Sequence, residues 1–330
     1  MALRDIRAAR RRIGSAVFTT PCHEAPLLSA LAGMELFCKY ENLQRTGSFK
    51  ERGARNALSL LGRDQRKNGV LTASTGSHAL GLAYHARQMG VPVTVVLSES
   101  TPEFKRRLCA GLGAEVRILG ATYCEAVEEA RALARRQDKT FVPAADDPAI
   151  IAGHGTVGLE ILDQVAAFDA IVIPIGAGGF IAGVATAIKA LRPRVRVIGV
   201  EPERAACWTA AARAGQPVTI DLLPTVADGL AVNRAGDHAF AVARGRIDAV
   251  VTVSEDELCA AIHALAERAK CVVEGAGAAP LAACLGGRLP ELQDKRVVLP
   301  LGGGNIDPAR LAEVLCAAGC CKIKVRTTGP

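Results

Sequence analysis

The sequence predicts an α/β fold built on parallel sheets. Short, near-continuous apolar runs alternate with longer stretches of helical period. That is the pattern of strands covered on both faces by crossover helices. Four junctions ahead of helices are rich in Gly, Ser or Thr: 45–49 (RTGSF), 74–78 (STGSH), 176–179 (GAGG) and 302–305 (GGGN). Parallel sheets gather their function where strands end and helices begin.

Taken in order, Leu3, Ile6 and Ala9 in an Arg-rich start form the apolar stripe of a solvated basic helix. That spacing, with Asp5, argues against a transit peptide. Strands are expected at 35–40, 69–73, 93–97, 115–119, 170–175, 195–200, 249–253 and 296–301, each rich in β-branched or aliphatic residues. Helical spacing is expected at 49–61, 78–89, 123–137, 156–165, 180–190, 255–269 and 309–317. No fixed-period repeat and no low-complexity segment interrupts this alternation.

A chain of 330 residues suggests about two domains or one large one, and an apolar half is enough for a sizeable core. No uninterrupted apolar run reaches the roughly 18 residues of a membrane span. The net charge of +7 is not interleaved with aromatics, so nucleic acid is not the expected partner. Eleven scattered cysteines form no CxxC pair; the nearest grouping, Cys316, Cys320 and Cys321, lacks the paired spacing of a zinc site. No metal is expected, and free thiols suit a reducing cytoplasm.

Lys50, in GSFKERGARNAL, sits at a helix start after a Gly-Ser turn, beside Phe49. A helix N-terminus and an apolar wall lower a lysine's pKa and favour the neutral amine that a Schiff base needs. Ser74, Thr75, Gly76 and Ser77 either aim backbone N–H groups at a carboxylate or phosphate or simply cap a helix. Gly176, Ala177, Gly178 and Gly179 either admit a phosphate close to the backbone or form a tight turn. In GGGN, Asn305 offers a polar handle.

Together, in this order, the segments resemble the fold-type II pyridoxal 5′-phosphate (PLP) enzymes, the tryptophan-synthase-β-like superfamily. Within it the chain is similar to the serine/threonine dehydratase and serine racemase branch. KYENLQRTGSFKERGA, ASTGSHALGLAYHA, PIGAGGFIAGVA, TVADGLAV, VEGAGAAPLAA and LPLGGGNID carry the resemblance, which covers nearly the whole chain.

The resemblance implies two α/β domains with the cofactor between them: 1–68 with 147–330 as the large domain and 69–147 as the small one. It implies that Lys50 carries PLP, Phe49 packs against it, and Gly176, Ala177, Gly178 and Gly179 cradle its phosphate. Ser74, Thr75, Gly76 and His78 would hold the substrate carboxylate. Glu274 would lie near the cofactor ring, with Asp228 and Gly229 near the site's mouth. The implied reaction is β-elimination of water from L-threonine or L-serine, giving a 2-oxo acid and ammonia, in a homo-oligomer; the alternatives are an amino-acid racemase, a lyase on another β-hydroxy amino acid such as 3-hydroxyaspartate, and a PLP-binding relative without turnover.

Departures from the branch pattern matter. Ser77 stands where Asn commonly bonds the cofactor's 3′-oxygen. Gly302 replaces the Ser, Thr or Cys that partners the ring nitrogen. Thr75 replaces the Ser of racemizing relatives, so elimination is expected over racemization. Glu201 keeps one carboxylate of a cation site, but Cys207 takes the other's place, so no strong metal site is expected. The 25 residues after Asn305 are too few for a regulatory domain of typical size.

Overall fold

The computed structural model describes residues 1–317 apart from Thr75, Ser100 and Pro102. Among them are ten strands: β1 (Cys22–Glu24), β2 (Glu35–Lys39), β3 (Val70–Ala73), β4 (Val93–Leu97), β5 (Glu115–Ile118), β6 (Thr140–Phe141), β7 (Ala170–Pro174), β8 (Arg196–Pro202), β9 (Ala249–Val253) and β10 (Arg296–Pro300). Six form a sheet in the order β1-β2-β10-β7-β8-β9, in which β1 alone runs antiparallel. Four form a parallel sheet in the order β5-β4-β3-β6. The parallel α/β expectation holds.

Eight strands fall where the apolar runs put them. The other two carry no such signal: β1 reads Cys-His-Glu and β6 is two residues long. Helix Pro148–Gln164 begins eight residues before the expected 156. Asp147 caps it, its Oδ1 accepting from Ala149 N at 2.7 Å and Ile150 N at 3.1 Å, and Pro148 fills the first turn. Most of this helix is buried, so it shows no clean amphipathic stripe. Helix Gly275–Leu285 is likewise unexpected; Gly275, Gly277 and the internal Pro280 are poor helix formers, and burial overrides propensity.

Fully buried Ile171, Val172, Ile173, Ile198, Val297 and Leu299 fill the larger sheet, and Val70, Leu71, Val95 and Val96 the smaller. Small residues then bring three helices to backbone contact behind the site. A Cβ on Gly153 would stand 2.5 Å from Arg52 O, and one on Gly183 would stand 2.3 Å from Ile151 O. On the other side, a Cβ on Gly81 would stand 2.8 Å from Glu51 Cα. Helix Lys50–Ser59 is thereby locked between helices 148–164 and 77–88.

A buried ion network fastens that helix from below. Arg52 donates to both oxygens of Glu41 at 2.7 Å, and to Glu160 at 2.6 and 2.8 Å. Lys39 Nζ donates to Glu160 at 2.5 Å, Thr20 O at 2.6 Å and Gln164 at 3.0 Å. Two cations and two carboxylates balance, and hydrogen bonds fill the remaining valences. A buried ion set tolerates desolvation only on those terms.

Candidate active site

A cavity of about 690 Å³ opens between the two sheets, at the C-terminal ends of their parallel strands. Lys50, Phe49, Ser74, Gly76, Ser77, His78, Gly176, Ala177, Gly178, Gly179, Asp228, Gly229, Glu274 and Gly302 all line it. The fold thus gathers segments separated by more than 250 residues around one space. Thr75 lies outside the described residues, as do Cys320 and Cys321 of the C-terminal cysteine grouping.

Lys50 opens helix Lys50–Ser59, and its Nζ donates to Ala144 O at 3.2 Å. Burial pulls its pKa down to about 8, against the opposing pull of Glu274. A usable fraction of neutral amine follows near neutral pH. His78 Nε2 lies 3.4 Å from Val142 O; burial and Lys50 push its pKa down to about 3, so it is neutral. Burial and repulsion from Asp228 raise Glu274 to about 7, with Lys105 and Lys50 pulling the other way.

Gly176–Gly179 runs from β7 into helix Gly179–Leu191, capped by Gly178 at φ +96°. The first amides of a helix have no partner within it, and the dipole there favours an anion. Behind the turn, a Cβ on Gly178 would stand 2.0 Å from Trp208 Cζ2, and one on Gly179 would stand 2.4 Å from Ala145 O. Both glycines are therefore required by packing, independently of any ligand.

The remaining expected residues have specific partners. Phe49 stacks on Phe180, with ring centroids 3.9 Å apart, and meets His154 edge-on at 4.8 Å. Ser74 Oγ accepts from Gly76 N at 3.3 Å, so that amide is engaged within the loop. Ser77 Oγ accepts from Asn305 Nδ2 at 3.0 Å. Asp228 pairs with Lys105 at 2.8 Å, joining the two sides of the cavity. The Glu201 carboxylate accepts from Trp208 N, Thr209 N and Thr209 Oγ1 at 2.9, 2.8 and 2.5 Å, and so fastens the start of helix Cys207–Ala214. Burial raises the Cys207 thiol to about 12. Among the described residues no cluster of three metal-ligating side chains occurs.

Sequence reasoning missed several wall residues. Lys105, Arg131 and the Ala144 carbonyl all reach the cavity. None sits in a glycine-rich junction, and a carbonyl's role has no sequence signal at all.

Fold and cavity define the class: a two-sheet α/β enzyme in which a lysine of lowered pKa shares a cavity with a glycine turn at a helix N-terminus. Residues 13–303 match the model for pyridoxal-phosphate dependent enzymes, and the chain belongs to that family. It is 40% identical to an L-threonine ammonia-lyase of Thermotoga maritima over 93% of this chain and 76% of the relative. It is also similar to the solved processed form of threonine deaminase isoform 2 from Solanum lycopersicum (TM-score 0.90, 35% identity, 97% of this chain and 88% of that one). The serine racemase of Dictyostelium discoideum matches with TM-score 0.87 and 34% identity, over 93% and 99% of the two chains.

The residues present fit PLP. The cavity offers an amine that is partly neutral near pH 7, a glycine turn at a helix N-terminus whose first amides have no partner within the helix, and a half-buried carboxyl that can be neutral or charged.

Proposed function

We propose that this chain eliminates the β-hydroxyl of L-threonine or L-serine as water. Hydrolysis of the unsaturated amine product then consumes one water and frees ammonia with 2-oxobutanoate or pyruvate. The observation that carries this reading is that Lys50, its pKa lowered to about 8, lines the same cavity as the Gly176–Gly179 turn. The similarity to threonine ammonia-lyase and threonine deaminase supports the substrate class.

In this reading Lys50 holds the cofactor covalently, and Gly176, Ala177, Gly178 and Gly179 hold its phosphate. Phe49 lies against its ring, while Ser77, Glu274 and Gly302 border it. When bound, PLP supplies an electron sink for negative charge at the substrate Cα. Lys50 Nζ, once free and neutral, takes the Cα proton. The 74–78 loop holds the substrate carboxylate, with His78 there as a neutral ring. Asp228 and Gly229 stand at the mouth, where Asp228 pairs with Lys105 across the cavity.

The same reading takes 69–147 as a small domain and 1–68 with 147–330 as a large one. It places a homo-oligomer in the cytoplasm, acting on a small amino acid without nucleic-acid or membrane partners. No described helix is long and apolar enough to cross a membrane.

The test is 2-oxo acid release from L-serine, L-threonine and 3-hydroxyaspartate, with chiral analysis of what remains. Release from serine or threonine supports the reading; a PLP-loaded protein inert with all three overturns it. The match to a serine racemase motivates one second reading. More D-serine than pyruvate early in the reaction would put racemization in place of elimination.

A further inference from the structure

Asn305 stands at the end of the GGGN segment, and its side-chain amide has a fixed orientation. Nδ2 lies 2.9 Å from Thr46 O and 3.0 Å from Ser77 Oγ. A backbone carbonyl only accepts, so the end of the amide facing Thr46 is the NH₂ group. Its two N–H bonds are thereby both placed, one on Thr46 and one on Ser77.

The surroundings hold the amide there. Gly47 has φ +74°, and a Cβ on it would stand 2.5 Å from Asn305 Oδ1. The Gly47 carbonyl accepts from Gly304 N at 2.9 Å, and Ser48 bridges to Gly303. Thr46 is fixed in turn, because Glu51 Oε2 accepts from its N at 2.7 Å and from its Oγ1 at 2.8 Å. Glu51 follows Lys50 in the same helix. Asn305 therefore registers the Lys50 segment, the 74–78 loop and its own loop against one another.

The consequence falls on Ser77. A hydroxyl has one proton. Ser77 Oγ accepts from Asn305, and among the described residues no protein acceptor takes its own proton. Both side chains line the cavity, and Ser77 is half-buried. We propose that Asn305 is a positioning residue that makes the Ser77 hydroxyl a dedicated hydrogen-bond donor to an anionic oxygen of the ligand in the Lys50 cavity. This rests on the PLP reading above. Two oxygens have the required chemistry: the cofactor's ring oxygen and the carboxylate of the amino-acid substrate. A donor on either favours its ionised form.

The test uses the PLP-loaded protein and four forms: wild type, Ser77→Ala, Asn305→Leu and the double variant. Leu keeps Asn's branching at Cγ and removes the donor. Three readouts apply: the visible band of bound PLP without substrate, its pH titration, and the kcat and KM for L-serine. A donor to the ring oxygen gives a shifted band in Ser77→Ala, with a titration midpoint about one unit higher. A donor to the substrate carboxylate leaves the band in place and raises KM on the order of tenfold with kcat little changed. In either case Asn305→Leu reproduces the effect of Ser77→Ala, and adds nothing in the double variant.

Ser77→Ala with an unchanged band and unchanged KM overturns the proposal, whether or not Asn305→Leu folds. So does an Asn305→Leu effect that persists in full when Ser77→Ala is already present. A wild-type protein that binds no PLP would instead remove the function reading itself, so the two failures are distinguishable.

Discussion

Phe49 and Gly302 are joined twice. The Phe49 amide donates to Gly302 O at 3.0 Å, and a Cβ on Gly302 would stand 3.3 Å from the ring's Cδ1. The ring has little room to retreat, since it stacks on Phe180 and meets His154 edge-on. The glycine and the aromatic therefore form a matched pair in the cavity wall. Gly302→Ser should displace the ring by a few tenths of an ångström. The expected cost is about 1 kcal/mol, or roughly 2 °C in Tm for a chain of this size. Thermal melts of apoprotein check it; an unchanged Tm means the wall accommodates a side chain after all.

The glycine turn separates packing from charge. Gly178→Ala meets Trp208 at a positive φ and should lower stability by about 1–3 kcal/mol without altering the cavity's charge. Ala177→Asp, at a half-buried wall position, should leave Tm nearly unchanged yet weaken PLP binding on the order of a thousandfold. Fluorescence titration with PLP distinguishes them. Equal PLP affinity in Ala177→Asp and wild type would remove the turn from the phosphate site.

The pH dependence of the apoprotein should carry the mark of Glu274. Its folded pKa of about 7 lies above the ordinary 4.5. The stability linked to its proton is therefore complete below about pH 4.5 and is lost as pH rises through 7. Glu274→Gln should gain Tm over wild type at about pH 8 and gain little at about pH 4.5. Lys50 has the opposite linkage: its folded pKa of about 8 lies below 10.5, so its burial penalty is present below pH 8 and relieved toward 10.5. A Glu274→Gln advantage that is the same at both pH values would contradict the assignment.

Arg52 is the centre of the buried ion network under the Lys50 helix. Arg52→Met leaves Glu41 and Glu160 facing Lys39 alone, an uncompensated buried charge. A loss of about 3–5 kcal/mol is expected. Denaturant unfolding measures it; a loss below about 1 kcal/mol would mean that water or rearrangement satisfies the carboxylates.

Sequence legibility follows from how local each cause is. Lys50 and the Gly176–Gly179 turn stand out because a strand end, a glycine pattern and a helix start are written in adjacent residues. The Ala144 carbonyl under Lys50, the Lys105–Asp228 pair and Trp208 behind Gly178 are tertiary meetings of segments 30 to 123 residues apart. No local pattern encodes them. Helix Pro148–Gln164 has its signal in Asp147-Pro148, hidden because most of the helix is buried and the apolar stripe vanishes. Ser77 reads in sequence as a shortened contact; only the fold reveals that Asn305 stands behind it.

In the proposed function Lys50 is the residue that holds the cofactor. Its rival Lys39 is engaged by Glu160, Thr20 and Gln164 within the core. The direct measurement is borohydride reduction of PLP-loaded protein followed by peptide mapping. One reduced pyridoxyl adduct is expected, on Lys50, with Lys50→Ala giving none. A stoichiometric adduct on any other lysine, or an undiminished yield in Lys50→Ala, would contradict it.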